Sequence, residues 1–170
     1  MVHFDIIEMH TRDDIEIVRK MLRSYVRWLF DSFPDETEDL SSYFSPERLQ
    51  QALDEISTKF VFPNGIVLLA RIDGEPVGCV FAHPIEPGIA EMKRLFVVPS
   101  ARGEGLGRAL ITELQAKTAA WGHPTIRLDT AVFLTDAIAL YRRLGFVEIE
   151  PYTEVPLGAV KTALFMEWRV

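Results

Sequence analysis

The chain has 170 residues, of which 48% are hydrophobic and 25% are charged, and its formal net charge at pH 7 is −7. This length fits one globular domain, and the acidic balance argues against a general nucleic-acid-binding protein. The single cysteine, Cys79, excludes an internal disulfide and a cysteine metal cluster, and the histidines lack metal-ligand spacing, so we expect no metal site.

The amino-terminal part predicts one strand and two longer helices. Alternating apolar residues indicate a strand over residues 2–9, and Asp13 or Asp14 can cap the helix that follows. Residues 31–39 carry five acidic side chains and no basic one, and predict a loop with short helical material. A serine followed by a proline opens another helix at residues 46–59. Charged residues near the start exclude a signal peptide, and no apolar run reaches membrane-spanning length, so we expect a cytoplasmic protein without a membrane partner.

The middle of the chain predicts an antiparallel meander. Residues 66–72 and 76–82 read as strands joined by an Asp-Gly hairpin turn. A turn over residues 84–88 then leads into a third strand at residues 90–98. Short links between sequential strands favour antiparallel pairing.

The carboxy-terminal part predicts alternating helices and strands. A helix from Leu106 to about Trp121 separates the strand ending at Val98 from a strand at residues 125–131, so these two strands are expected to be parallel neighbours. Thr135 or Asp136 caps a further helix, and the last strands are expected at residues 146–151 and 162–170. The fold class is therefore α/β (α+β): a mixed, mostly antiparallel sheet of about six to seven strands with helices on both faces.

The central feature of the sequence is a glycine-rich turn between a strand and a helix. The turn reads Arg-Gly-Glu-Gly-Leu-Gly-Arg over residues 102–108 and follows a strand stopped by Pro99. Free amides at a helix start, reached through glycines, make a site for phosphate or pyrophosphate. The third glycine of a Rossmann loop would fall at Arg108, and no P-loop lysine is present, so neither nucleotide motif fits. A tight turn without a ligand is the structural alternative.

Three segments together carry a family resemblance. EMKRLFVVPSARGEGLGRALI over residues 91–111, IRLDT over residues 126–130 and AIALYRRLGFVEIEPY over residues 137–152 resemble the conserved half of the GNAT acetyltransferases. The resemblance implies one GNAT-like domain over residues 1–170. Within it, residues 1–90 would be a variable acceptor-binding half and residues 91–170 the acyl-CoA-binding and catalytic half.

The resemblance also implies where acetyl-CoA binds as cosubstrate. Pantetheine would pair with the main chain of a strand that diverges from its neighbour, and the glycine turn would wrap the pyrophosphate. The amide of Val97 would donate to the oxyanion. The family often has an asparagine seven positions before its catalytic tyrosine, where this chain has Leu134. The implied coenzyme-binding residues are Leu95, Phe96, Val97, Arg102, Gly103, Glu104, Gly105, Leu106, Gly107 and Arg108.

The implied chemistry is attack of an amine on a thioester, which needs a proton acceptor and a proton donor. Tyr141 takes the position of the family's usual donor to the thiolate, although it also lies on an apolar stripe and can be a core residue. Glu91 and Asp129 are the candidate bases, because both lie at strand ends where relatives carry acids. Glu91 is the first choice, because glutamate reaches farther and lies where the substrate would enter. Ion pairs, Glu91 with Lys93 or Asp129 with Arg127, are the alternative for these carboxylates.

These features predict an N-acetyltransferase for a small amine or a peptide amine. The acidic residues 31–39 are a candidate attractor for a cationic amine, with a solvated loop as the alternative. Nearby aromatic residues can line the acceptor pocket or belong to the core: Tyr25, Trp28, Phe30 and Phe33. A non-catalytic acyl-CoA-binding sensor on the same fold is the alternative function. Dimers are common in the family, and the last strand is a candidate for pairing with a second copy.

Overall fold

The computed structural model describes residues 2–170 as one seven-stranded sheet with five α-helices. The strands are β1 (Phe4–Glu8), β2 (Ile66–Ile72), β3 (Glu75–Glu86), β4 (Ile89–Val97), β5 (Thr125–Ala131), β6 (Val147–Ile149) and β7 (Ala163–Arg169). The helices are α1 (Arg12–Ser32), α2 (Thr37–Tyr43), α3 (Pro46–Glu55), α4 (Leu106–Ala120) and α5 (Thr135–Arg143). Short 3-10 helices lie at Pro34–Glu36, Pro99–Ala101 and Leu157–Ala159.

The sheet has the strand order β1-β2-β3-β4-β5-β7-β6. Strands β1 to β4 form the predicted antiparallel meander, and β4 and β5 form the predicted parallel pair. The mixed, mostly antiparallel sheet expected from the sequence is thereby confirmed. The last strand, β7, lies between β5 and β6 rather than at an edge, so the open edges of the sheet belong to β1 and β6.

Strand β3 is longer than the sequence predicted. It was expected to end at Ala82 before a turn at residues 84–88, but it continues through Pro84 to Glu86 along β4. Strand β2 begins at Ile66, opposite Ala82, so Pro84 lies where β3 has a single neighbour. A missing backbone amide is tolerated at such a position because no second ladder needs it.

Two predicted helix caps are wrong. Helix α1 is capped by Thr11 rather than by Asp13 or Asp14: the Thr11 hydroxyl accepts from the Asp14 amide at 3.0 Å, and the Asp14 carboxylate accepts from the Thr11 amide at 2.9 Å. This reciprocal arrangement satisfies two free amides of the first turn. Helix α5 begins after Leu134 without a side-chain cap, although Thr135 and Asp136 were the expected caps.

Each face of the sheet buries its own apolar core, which confirms helices on both faces. One core packs α4 and α5 against the sheet and includes Leu110, Leu114 and Tyr141. The other packs α1 and α3 against the opposite face and includes Val18, Leu22, Ile56 and Phe60. Among residues 2–170, no helix is long and apolar enough to cross a membrane.

Strands β4 and β5 separate after a short paired stretch, and this separation positions the site. Their pairing covers Ile89 to Glu91 on β4 and ends at Arg127 on β5. Beyond that point the β5-facing backbone of β4 has no partner strand. A bulge between the partners Phe81–Lys93 and Cys79–Phe96 bends β4 further, and Arg94 within it has a left-handed φ of 55°.

Candidate active site

A cavity of about 680 Å³ occupies the gap between the separated strands. Strands β4 and β5 form its floor, the glycine-rich turn and α5 form one wall, and α1 and α2 form the other. Its lining includes every coenzyme-binding residue predicted from the sequence except Glu104, which is exposed on the turn. Of the three predicted catalytic residues, Asp129 and Tyr141 line the cavity, whereas Glu91 does not.

The carboxyl end of β4 presents polar backbone groups toward the cavity. The amide of Val98 donates to the Val77 carbonyl at 2.9 Å, so the alternation of a strand turns the amide and carbonyl of Val97 the other way. The Val97 carbonyl accepts from Arg102 Nε at 2.9 Å. The Arg102 guanidinium also lies 4.1 Å from the centroid of the Trp28 ring, which ties the glycine turn to α1.

The glycine-rich turn has the backbone that only glycine adopts easily. Gly103 and Gly105 have φ angles of 88° and 80°, and a Cβ at either position would meet nothing within 4 Å. These glycines are therefore required by the turn of the chain and leave open space above the backbone. Gly105 directly precedes the first residue of α4, so the free amides of that helix start open onto the cavity wall.

A buried charge network connects the two candidate bases. Lys93 Nζ lies 3.1 Å from Glu91 Oε1 and 3.5 Å from Asp129 Oδ1. The hydroxyl of Tyr43, on α2, donates to Asp129 Oδ2 at 2.5 Å. The second half of the chain supplies both carboxylates, and the first half supplies the tyrosine that covers one of them.

Glu91 accepts hydrogen bonds from several side chains besides Lys93. Tyr152 donates to its Oε2 at 2.8 Å, and His83 Nε2 lies 3.1 Å from its Oε1. Burial works to raise the pKa of Glu91, but the hydrogen bonds from His83, Tyr152 and Lys93 outweigh it and lower the pKa to about 2. A carboxylate held this firmly in its ionised form is a weak proton acceptor.

Tyr141 lies on α5, lines the cavity and is 7% exposed. Its ring centroid lies 5.7 Å from that of Phe146. Burial raises the pKa of Tyr141, and the nearby Tyr25 and Asp129 raise it further. Its hydroxyl therefore stays protonated at neutral pH, as a proton donor requires. The ring belongs to the apolar core, as the alternative interpretation expected, and the residue also lines the cavity, so its role as proton donor stays a prediction.

The first half of the chain contributes an aromatic wall. Tyr25, Trp28 and Phe33 line the cavity as expected, whereas Phe30 does not. Phe133, which precedes α5, also lines the cavity, and its ring centroid lies 5.0 Å from that of Phe33. Of the five acidic residues at 31–39, Asp39 alone lines the cavity, and its carboxylate accepts a hydrogen bond from Thr162.

The lining residues that had no site role in the sequence analysis include Tyr43, Lys93 and Arg94. The position of Lys93 beside Glu91 could have been predicted, since side chains two residues apart on a strand lie on the same face. The orientation of Arg94 could not have been predicted, because the bulge interrupts the alternation of side chains along β4. The contact of Tyr43 with Asp129 could not have been predicted either, because the two residues lie 86 positions apart in the sequence.

Comparisons with known proteins identify the family of this chain. Residues 22–146 match the model of the Acetyltransferase (GNAT) family. The chain is 33% identical over 153 residues to an IAA acetyltransferase of Azospirillum brasilense, covering 89% of this chain and 90% of the relative. It is 40% identical over 116 residues to an uncharacterized N-acetyltransferase of Schizosaccharomyces pombe, covering 65% of this chain and 71% of the relative.

A solved structure supports the same fold. The PaiA N-acetyltransferase from Thermoplasma acidophilum, in complex with coenzyme A, superposes with a TM-score of 0.73 at 19% identity and covers 99% of both chains. The separated strands, the glycine turn at a helix start and the matched family model point to one conclusion. This chain belongs to the GNAT family of acetyltransferases and is an acyltransferase.

Proposed function

We propose that this protein transfers the acetyl group of acetyl-CoA to the nitrogen of a primary amine by direct attack. The observation that carries the proposal is the meeting of three features in one cavity. These are the unpaired edge of β4, the glycine turn at the start of α4, and the pair Asp129 and Tyr141. An anion site, a backbone edge and a proton acceptor–donor pair are what acyl transfer to an amine needs.

Different parts of the cavity wall offer hydrogen-bonding groups that match the pyrophosphate and the pantetheine of coenzyme A. The open space above Gly103 and Gly105 and the free amides of α4 suit the pyrophosphate, with the exposed Arg108 beside them. The unpaired backbone of Leu95 and Val97 suits the amide groups of pantetheine, provided that the Arg102 side chain releases the Val97 carbonyl. Acetyl-CoA bound in this way supplies an activated thioester.

We assign the role of proton acceptor to Asp129 rather than to Glu91. Asp129 lines the cavity, whereas Glu91 lies outside the lining and is held ionised with a pKa of about 2. The ammonium form of an alkylamine has a pKa of about 10 and cannot attack. The positive charge of Lys93, 3.5 Å from Asp129, favours the neutral amine at this position.

The remaining groups complete the reaction. The attacking nitrogen bonds to the thioester carbon and passes its proton to the Asp129 carboxylate. The Val97 amide donates to the oxyanion, and the Tyr141 hydroxyl protonates the departing sulfur as the carbon–sulfur bond breaks. Glu91 acts through Lys93, which it holds against Asp129, and is therefore a positioning residue.

Two measurements on the wild-type protein test the proposal. Calorimetric titration with acetyl-CoA should show binding in the micromolar range, and a panel of primary amines should cause release of free thiol from acetyl-CoA. Binding without thiol release for any amine would favour a non-catalytic acyl-CoA sensor. Absence of binding by the folded protein would overturn the assignment of the glycine turn.

A further inference from the structure

The cavity wall contains one buried positive charge that the proposed chemistry does not use. Arg94 lies in the bulge of β4 with a φ of 55°, a conformation uncommon for a residue other than glycine. Its guanidinium carbon lies 5.4 Å from the ring centroids of Phe60 and Phe81, two buried residues of the core that packs α1 and α3 against the sheet. The residue as a whole is half-buried and lines the cavity.

The guanidinium of Arg94 has no anionic partner. Across residues 2–170, no acidic side chain lies within 4.0 Å of it, and its Nη1 is buried without a hydrogen-bond partner. Burial lowers the pKa of Arg94, and the charge of the nearby Glu55 opposes this lowering. One Glu55 oxygen accepts from Gln51 at 3.1 Å, and the other lies 3.9 Å from Lys59 Nζ. Cation–π contacts with two phenylalanines do not replace a bidentate acceptor.

The other cations of the cavity wall are already engaged or lie elsewhere. Lys93 is paired with Glu91 and Asp129, and Arg102 donates to the Val97 carbonyl. Arg108 and Arg143 are exposed beside the glycine turn and α5. Arg94 is thus the cation of the wall whose buried Nη1 has no hydrogen-bond partner among residues 2–170.

Arg94 and the proton acceptor share a neighbour. Tyr43 donates to Asp129 at 2.5 Å, and its phenol is also close enough to affect the pKa of Arg94. Tyr43 and Tyr25 line the same cavity, and Phe44 and Phe96 each pack on Tyr25. A small molecule with its amine at Asp129 would therefore lie against aromatic rings, with a cation close by.

We propose that the acceptor is an amine that also carries a carboxylate and an apolar, ring-sized group, and that Arg94 binds the carboxylate. This inference rests on the proposed acetyl transfer and specifies its acceptor. A planar guanidinium matches a carboxylate with two parallel hydrogen bonds, and burial strengthens such a pair because solvent does not screen it. A polycationic acceptor would instead bring its charge against an unpaired arginine.

A matched pair of acceptors tests the proposal. L-Phenylalanine and phenethylamine share the amine and the ring, and only the first carries the carboxylate. The wild type should acetylate L-phenylalanine with a kcat/KM at least about tenfold higher, which corresponds to one charge-assisted pair at about 1.4 kcal/mol per factor of ten. The Arg94→Gln variant should lose this preference, and Arg94→Lys should retain part of it. Arg23→Gln, an exposed arginine of α1 outside the lining, is the control and should keep the wild-type ratio.

A binding experiment separates this inference from the proposed reaction. 3-Phenylpropionate carries the carboxylate and the ring but no amine, so its binding to the coenzyme A complex needs no turnover. Calorimetry should show binding to the wild type and at least about tenfold weaker binding to Arg94→Gln, provided that the variant still binds coenzyme A. Binding without acetylation of any amine would contradict the reaction and support the carboxylate site. Equal kcat/KM values for the two amines in the wild type would overturn the inference and leave acetyl transfer standing, even if the Arg94 variants fail to fold.

Discussion

Replacing Glu91 with glutamine tests whether this buried carboxylate stabilises the fold or performs the chemistry. Glu91 is 6% exposed and receives hydrogen bonds from Tyr152, His83 and Lys93. Its pKa falls from an ordinary value of 4.5 to about 2. At about 1.4 kcal/mol per pH unit, this difference corresponds to roughly 3 kcal/mol of stability at neutral pH. Glu91→Gln should therefore lower Tm by about 6–12 °C in a chain of this size.

The stabilisation by Glu91 should depend on pH. Because folding lowers the pKa of Glu91, the stabilisation is fully present above pH 4.5 and is lost as the pH falls toward 2. Urea denaturation of the wild type and of Glu91→Gln should show a stability difference of roughly 3 kcal/mol at pH 7 and about half of that at pH 3. Below its Tm, the variant should keep kcat within a few-fold of the wild type.

A control separates this effect from general surface charge. Glu148 is an exposed glutamate of β6, and Glu148→Gln should change stability by less than about 0.5 kcal/mol at either pH. A stability difference for Glu91→Gln that does not depend on pH would refute the charge-network argument. A stable Glu91→Gln variant that has lost its activity would return the role of base to Glu91.

Two further predictions address the coenzyme site and the proton donor. Gly105→Asp should weaken coenzyme A binding at least about tenfold, because charge repulsion over ~5 Å costs roughly 1–3 kcal/mol. Gly74→Asp is its matched control, since Gly74 lies in a hairpin turn with similarly open surroundings and a φ of 84°, against 80° at Gly105. Equal calorimetric affinities of the two variants for coenzyme A would contradict the pyrophosphate assignment. Tyr141→Phe should lower kcat about a hundredfold while coenzyme A affinity stays within about twofold. A steady-state kcat close to the wild-type value would remove Tyr141 as proton donor.

The regular elements could be predicted from sequence because local pattern decides them. Strands at residues 66–72 and 125–131 were predicted with the bounds that the structure has, and the glycine turn was recognised from its own residues. The φ angles of Gly103 and Gly105 explain why that signal is reliable, since other residues adopt this backbone at a cost.

The contacts that set residue roles could not be predicted, because they depend on tertiary pairing. From the sequence we preferred Glu91 to Asp129 as the base because a glutamate side chain is longer. In the structure, β4 and β5 separate so that Asp129 lines the cavity, whereas Glu91 lies outside the lining and accepts hydrogen bonds from residues such as Tyr152. No residue type in this stretch of sequence predicts the bulge at Arg94. That the Arg94 side chain has an unpartnered nitrogen can be seen only in the three-dimensional structure. Likewise, the extension of β3 past Pro84 depends on where β2 begins.

The most direct test of acetyl transfer in this cavity is the rate of thiol release by an Asp129→Asn variant. The assay uses saturating acetyl-CoA and the amine that the wild type acetylates fastest, with acetyl-CoA affinity measured in parallel. We expect kcat to fall about a hundredfold or more while acetyl-CoA affinity stays at the wild-type level. A variant that binds acetyl-CoA and releases thiol at the wild-type rate would contradict the assignment of Asp129 as the proton acceptor, and with it the mechanism proposed for this protein.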